Sequence, residues 1–484
     1  MALTDMPEGP PADTADAPPA AIPAAPAAGK RTAPVRDTRL RDLTDAIERE
    51  LRASVRVHQS GKITEVIGTL IKVAGLDLQL GELCELRAPD GTLLQHGEVI
   101  GFTRDYALVS PFARLTQVSR STRVVGLGRP LSVKVGDRLL GRVIDSLGEP
   151  IDGLGPLGMD DAQARPIFAD PPSPMTRRMI EETMPTGVRV IDAMTTFAEG
   201  QRIGIFAPAG VGKSTLLGML ARGAQCDINV IALIGERGRE VREFVELILG
   251  PQGMARSVVV CATSDRSSIE RAKAAYVATA IAEHFRDEGK RVLLMMDSLT
   301  RFARAGREIG LAAGEPPARR GFPPSIFAEL PRLLERAGMG ATGSITALYT
   351  VLAEDESGSD PIAEEVRGVL DGHLILSREI AAKNRYPAID VLGSLSRVMP
   401  QVVSPGYLAA STRLRELLAR YRDVEMLLQV GEYQPGSNPL SDEAIAKIDA
   451  INAFLSQRTD HYADPADTEA MMMELAQVGG GGTF

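Results

Sequence analysis

Apolar residues recur along this chain with changing period, and each change marks a boundary. Up to about Val35 there is no period at all, only alternating Ala and Pro with scattered acids. Too little apolar bulk exists there to offset ordering entropy, so residues 1–37 are expected to be a disordered extension without catalytic chemistry. Leu40, Leu43, Ile47 and Leu51 then fall at helical spacing among Arg, Asp and Glu, which predicts an amphipathic helix over 38–54. Such a helix either packs on its own protein or docks on a partner or membrane surface. From about Val55 to Val125 the pattern shortens to alternating segments, Lys62 to Val73, Glu85 to Ala88 and Leu93 to Phe102, with Asp90-Gly91 as a hairpin turn. A small β-barrel over 55–128 closes such a sheet without exposed edges. Val135 to Gly153 and a Pro-rich connection, Asp170 to Pro174, lead into a long region where apolar strand candidates alternate with helices to about Pro400. That alternation predicts an α/β domain over 129–402, with a parallel sheet covered on both faces. Leu414, Leu417, Leu418, Tyr421, Val424 and Leu428 mark one later helix, and Ile445, Ile448, Ile451 and Leu455 a second. Residues 403–484 therefore read as a helical C-terminal domain ending in a flexible GGGG tail.

Within the α/β region, Gly200 to Leu220 reads GQRIGIFAPAGVGKSTLLGML. Arg202 to Phe206 is strand-like, Ala207 to Gly212 is small and flexible, and Lys213 to Leu220 opens a helix on a cation. A phosphate chain needs backbone N–H groups turned inward, which Gly210 and Gly212 permit because they lack a Cβ, and it gains from the helix N-terminus behind them. The expected nucleotide-binding set is thus Ala209, Gly210, Val211, Gly212, Lys213, Ser214 and Thr215, with Lys213 on the outer phosphates and Ser214 as a magnesium ligand. The match to a Walker A loop is imperfect. Ala207 stands at its first glycine and Pro208 stiffens the turn, a change of small cost where that position needs no positive φ. A glycine-rich turn before an ordinary helix is the alternative, and the flanking strand and helix argue against it.

Two carboxylates follow strand-like runs. Ile228 to Ile234 leads to Glu236 in GERGREVREF, at a strand's carboxyl edge, where ligands of open α/β sheets bind. With the phosphate loop one strand away, Glu236 suits the base that orients and deprotonates water, rather than a solvated surface acid. Arg291 to Met296 closes on Asp297, the Walker B arrangement that holds magnesium's water shell. An aspartate capping the next helix is the other reading of Asp297, and the two roles can coexist.

Composition narrows the partners. The 484 residues, 44% hydrophobic and 24% charged, describe a globular chain of two or three domains. A net charge of -9, a pI near 5.4, no Trp and 4% aromatic residues argue against nucleic acid as the main ligand. Cys84, Cys226 and Cys261 are odd in number and lack CxxC spacing, so neither a disulfide framework nor a zinc site is expected. An acidic, Ala/Pro-alternating start lacks the features of a signal peptide, and no apolar run is long enough to span a bilayer. The expected location is the cytosol, with any membrane contact peripheral.

A family resemblance rests on longer segments: GERGRE, MMDSLTRFARAGREI, GEPPARRGFPPSIFAELPRLLERAG, GSITALYTVL, DGHLILSREIA, YPAIDVLGSLSRVMP and LLQVGEYQPGSNPL. Together, and in this order between about Val55 and Gln457, they resemble the export ATPases of type III secretion systems. KSTLLGML and GLAAGEPPARRGF resemble the injectisome branch more than the flagellar one. The family is similar in turn to the catalytic subunit of rotary ATP synthases, which implies a barrel, a RecA-like P-loop core and a C-terminal helical domain, assembled as a homohexamer using ATP and Mg2+. By matched motif, the resemblance gives Glu236 the attacking water, Arg237 the γ-phosphate, and Glu240 and Asp297 the magnesium waters. It packs Tyr386 on adenine and makes Arg397 an arginine finger reaching into the neighbouring subunit's site. It further implies a stator-like regulator, a central stalk protein, an export gate and chaperone–substrate complexes as partners, and a peripheral place at the cytoplasmic face of the inner membrane. Pro208, Gly306 inside a helix, and the extension before Arg36 depart from the family pattern. Alternatives are a flagellar export ATPase, a non-catalytic nucleotide-binding ring subunit, and a hexameric RNA helicase, the last opposed by the acidic pI.

Overall fold

A computed structural model describes residues 59–113, 115–159, 162–353 and 360–476. The extension, the Leu40 to Leu51 helix and the GGGG tail lie outside them. Six strands, β1 (Ser60–Ile67), β2 (Leu70–Ala74), β3 (Glu82–Arg87), β4 (Leu93–Phe102), β5 (Ala107–Pro111) and β6 (Arg123–Pro130), close a barrel in the order β1-β2-β5-β4-β3-β6. The expected Lys62 to Val73 segment is two strands, because Gly68 at φ 57° turns the chain and pairs Ile67 with Leu70. At the Asp90-Gly91 turn, Asp90 Oδ1 accepts a hydrogen bond from Thr92 N at 2.9 Å and Gly91 adopts φ 88°, which brings β3 and β4 together. Alternate residues such as Ile71, Leu86, Val109 and Val124 fill the barrel.

After the short β7 (Ser132–Lys134), β8 (Val143–Ile144) and β9 (Ala164–Pro166) come β10 (Arg202–Ala207), β11 (Ile228–Ile234), β12 (Ser257–Ala262) and β13 (Arg291–Asp297). They are followed by β14 (Gly338–Met339), β15 (Ser344–Leu352), β16 (Gly372–Ile375) and β17 (Leu395–Ser396). One sheet runs β17-β16-β10-β15-β13-β11-β12-β8, with β14 paired to β15. Every ladder from β16 to β8 is parallel, and β14 and β17 pair antiparallel. All residues of β11 are buried, as an apolar run without alternation requires when helices cover both faces. Where the sequence suggests that β10 and β11 lie one strand apart, the sheet inserts both β15 and β13 between them. Parallel pairing through long crossovers reorders strands in a way that adjacency along the chain does not reveal.

Gly306 has a packing reason. It lies in the helix Leu299–Ala312, where an added Cβ would approach Ile326 Cδ1 of the helix Pro324–Leu334 to 2.1 Å. The helix Pro405–Gln429 begins at Ser404, whose Oγ accepts from Tyr407 N, and Pro439–Leu455 begins at Asn438, whose side chain accepts from Leu440 N and Ser441 N. A third helix, Pro465–Ala476, completes the C-terminal layer. Tyr407 Oη donates to Asp192 O at 2.8 Å, and Arg415 bonds the carbonyls of Met194, Val391 and Ser394, which ties this layer to the sheet domain. Cys84, Cys226 and Cys261 are buried free thiols.

Candidate active site

The phosphate loop starts where β10 ends. Ala207 is the last, fully buried residue of that strand, paired with Leu352, and it has no positive φ. An alanine is therefore tolerated at this position. The left-handed backbone falls instead at Gly210 (φ 83°) and Gly212 (φ 88°), where a side chain would be strained. The helix Lys213–Gly223 follows, buried through Leu216, Leu217, Met219, Leu220 and Ala221, with Gly212 at its N-cap and no side chain capping it. Its first N–H groups are thus left for an anion. Ala209, Gly210, Ser214 and Thr215 are exposed on this turn, and Val211 is buried beneath it.

Lys213 Nζ forms an ion pair with Asp297 Oδ1 and lies 3.8 Å from Glu236 Oε1. Asp297 is 3% exposed at the end of β13 and also accepts a hydrogen bond from Thr350 Oγ1 at 2.7 Å. It does not cap the following helix, because Ser298 does, accepting from Arg301 N at 3.3 Å. Glu236 stands two residues beyond β11, its backbone fixed by Gly235 N to Ala262 O and Ser264 N to Glu236 O. Burial, then the neighbouring Asp297 carboxylate, pushes the Glu236 carboxyl up to about 7, against the pull of Lys213. A carboxylate poised there can exchange a proton near neutral pH.

Glu240 lies in the first turn of the short helix Gly238–Glu243 and accepts from Arg237 Nη1 at 3.1 Å. Arg237 itself is exposed. Ser214, Glu240 and Asp297 offer a hydroxyl and two carboxylates, hard oxygen donors of the kind Mg2+ takes when water and phosphate complete its shell. Among the described residues no group of three His, Cys, Asp or Glu could hold a metal by itself.

Tyr386 is 40% exposed, and its ring carbon would lie 3.7 Å from a Cβ added at Gly212, so an aromatic ring stands beside the phosphate loop. Arg397 lies elsewhere. Its N donates to Asp371 O, and Asp371 N donates to Arg202 O, at the amino end of β10, whereas the phosphate loop leaves the carboxyl end. Five residue-to-residue steps along the strand separate these ends, roughly 17 Å at the rise of a parallel strand. Arg397 is exposed, directly after the edge strand β17.

Two residues escaped the sequence reading. Thr350 is one, because nothing in GSITALYTVL marks it apart from other strand residues. Arg301 is the other: its stem lies about Gly235, where an added Cβ would meet it at 3.1 Å, and its Nε is buried without a hydrogen-bond partner. Its place four residues after Asp297 was the available signal.

A mostly parallel sheet, an uncapped phosphate-loop helix and a Lys–Asp–Glu cluster at the strand ends define a P-loop ATPase. Family models give its kind: the ATP synthase alpha/beta family nucleotide-binding domain matches residues 187–396 and that family's beta-barrel domain residues 63–128. The T3SS EscN ATPase C-terminal domain matches residues 403–474. A type 3 secretion system ATPase from Xanthomonas euvesicatoria is 70% identical over 429 residues, covering 89% of this chain and 97% of that protein. The flagellum-specific ATP synthase of Bacillus subtilis is 48% identical, covering 87% of this chain and 95% of that protein. The structure of assembled EscN with its central stalk EscO, from enteropathogenic E. coli, aligns with a TM-score of 0.79 at 45% identity, covering 86% of this chain and all of that one. The chain belongs to the type 3 secretion system ATPases.

Proposed function

We propose that this ATPase is the motor of a bacterial type III secretion apparatus, coupling ATP hydrolysis to release of exported proteins from chaperones and to their unfolding. The observation that carries the catalytic part is the convergence of Lys213, Asp297 and Glu236 at the carboxyl ends of β10, β13 and β11. Backbone N–H groups of Ala209 to Gly212 and the Lys213 cation hold the phosphates, with Ser214 and Thr215 on the first helical turn. Tyr386 packs on adenine. Glu236 orients the attacking water and takes its proton, while Arg237 turns from Glu240 toward the γ-phosphate. Ser214, Glu240 and Asp297 would hold Mg2+ and its waters, and the ion would supply neutralisation of the phosphate charge.

Arg397 completes a neighbour's site, which requires a ring, and we take the ring to be a homohexamer. Its partners would be a central stalk, by likeness to the EscN–EscO assembly, a stator-like regulator, an export gate and chaperone–substrate complexes, with nucleic acid excluded by the acidic charge. No helix among the described residues is long and apolar enough to cross a membrane, and the reading places the protein in the cytoplasm, peripheral to the inner membrane. Domain limits at 55–128, 129–402 and 403–484 belong to the same proposal, with 1–37 as extension and 38–54 as helix. Identity of 70% to a type 3 secretion system ATPase against 48% to a flagellum-specific ATP synthase favours injectisome over flagellar export. A non-catalytic ring subunit would not need a carboxyl poised near neutrality at Glu236.

Lys213→Ala tests the assignment by removing the cation that faces the phosphates. Phosphate release should fall to background and nucleotide affinity should drop in the purified protein. Near-normal turnover would refute it.

A further inference from the structure

The Walker B strand β13 does not present its carboxylate unaided. β15 lies between β10 and β13, and in register Ile205 pairs with Thr350 on one side while Met296 pairs with Tyr349 on the other. Thr350 is fully buried, and its Oγ1 donates to Asp297 Oδ1 at 2.7 Å. One turn beyond Asp297, Thr300 Oγ1 accepts from Leu352 N at 2.9 Å, so two buried threonine contacts lock the carboxyl end of β15 to the segment after β13. Lys213 meets the same carboxylate oxygen, Oδ1, that Thr350 holds.

We infer that Thr350 is a positioning residue for magnesium: by pinning Oδ1 of Asp297 through its hydroxyl, it directs Oδ2 toward the ion's water shell. The inference rests on the reading of Asp297 as a holder of those waters. Its physical content is a competition between two donors. Lys213 and Thr350 share Oδ1. When phosphates draw the Lys213 cation away, a buried carboxylate with no remaining donor would rotate freely and lose a charge-assisted hydrogen bond. Thr350 comes from the neighbouring strand, not from the phosphate loop, so it stays in place when Lys213 moves. The orientation of Asp297 is then independent of the nucleotide that brings the metal. Valine at 350 keeps the branched shape and removes only the hydroxyl, and serine restores the hydroxyl without the methyl.

Groups that hold a metal's ligands in place typically change metal affinity or activity by about 10–100-fold when lost. The test is Mn2+ affinity of the full-length protein bound to ADP, read by electron paramagnetic resonance, beside ADP affinity in chelator. Thr350→Val should raise the Mn2+ dissociation constant by about tenfold or more and leave metal-free ADP affinity unchanged, while Thr350→Ser binds Mn2+ as the parent does. If Thr350→Val proves unstable, Thr350→Ala gives the same comparison. Unchanged Mn2+ affinity in the hydroxyl-free variants, with Asp297→Asn weakened, would overturn the role of Thr350 and leave that of Asp297 standing. If Asp297→Asn also binds Mn2+ normally, the reading of Asp297 fails and takes this inference with it.

Discussion

Replacing Arg397 with alanine probes the boundary between subunits. Within one chain, Arg397 is held at the amino end of the sheet by Asp371, itself bonded to Arg202, while Lys213 follows the carboxyl end of β10. The strand alone puts roughly 17 Å between those ends, too far for a guanidinium to touch its own phosphate loop. An arginine supplied in trans to a phosphoryl-transfer site contributes about a thousandfold or more. That is about 4 kcal/mol of barrier at the usual conversion of rate to free energy. Arg397→Ala should therefore bind nucleotide and assemble like the parent, yet release phosphate about a thousandfold more slowly in a steady-state assay. Mixing it with Lys213→Ala should recover part of the activity, since one subunit brings an intact loop and its neighbour an intact arginine. Normal turnover of Arg397→Ala in the assembled state would refute the reasoning, as would failure to recover activity when labelled subunits are seen to exchange.

Two further substitutions test the packing and the electrostatics around the loop. Gly223→Ala gains about 1 kcal/mol of helix propensity, but its Cβ would come within 2.4 Å of Thr186 O, a backbone atom, and overpacking costs about 1–3 kcal/mol. A urea melt should show a net loss of stability, and a gain would contradict the packing. For Glu236 the folded carboxyl holds its proton to about 7, above the 4.5 of a solvated glutamate, so the folded state binds more protons between those values and loses stability as pH rises through that window. Glu236→Gln removes this loss: without nucleotide, its melting temperature should rise relative to the parent from pH 4.5 to 7 and hold that gain above. A constant difference across the range would refute the burial argument.

Much of this was legible because local chemistry and tertiary structure agree. The run Ile228 to Ile234 is β11 to the residue, the apolar stretch closing on Asp297 is β13, and Leu93 to Phe102 is β4. Glycines at 210 and 212 stand where the loop needs positive φ. What could not be read is what depends on distant pairing. The insertion of β15 and β13 between β10 and β11 is a property of crossovers, and it alone brings Thr350 against Asp297. Ser298 as helix cap was hidden by the equally suitable Asp297 beside it. The helix Pro465–Ala476 is hard to read in the sequence because its apolar residues are mainly small alanines and a run of consecutive methionines, which form no clear helical stripe in a short segment.

Glu236 is proposed to perform the chemistry in a site assembled around Lys213 and Asp297. Glutamine at 236 keeps the shape and hydrogen-bonding capacity of the side chain but cannot accept the proton of the attacking water. The decisive measurement is single-turnover ATP hydrolysis by Glu236→Gln, alongside its equilibrium affinity for ATP. If Glu236 is the base, affinity stays like the parent's while hydrolysis slows by roughly a hundredfold or more. Hydrolysis at the parent's rate, or a loss of ATP affinity as large as the loss of rate, would contradict it.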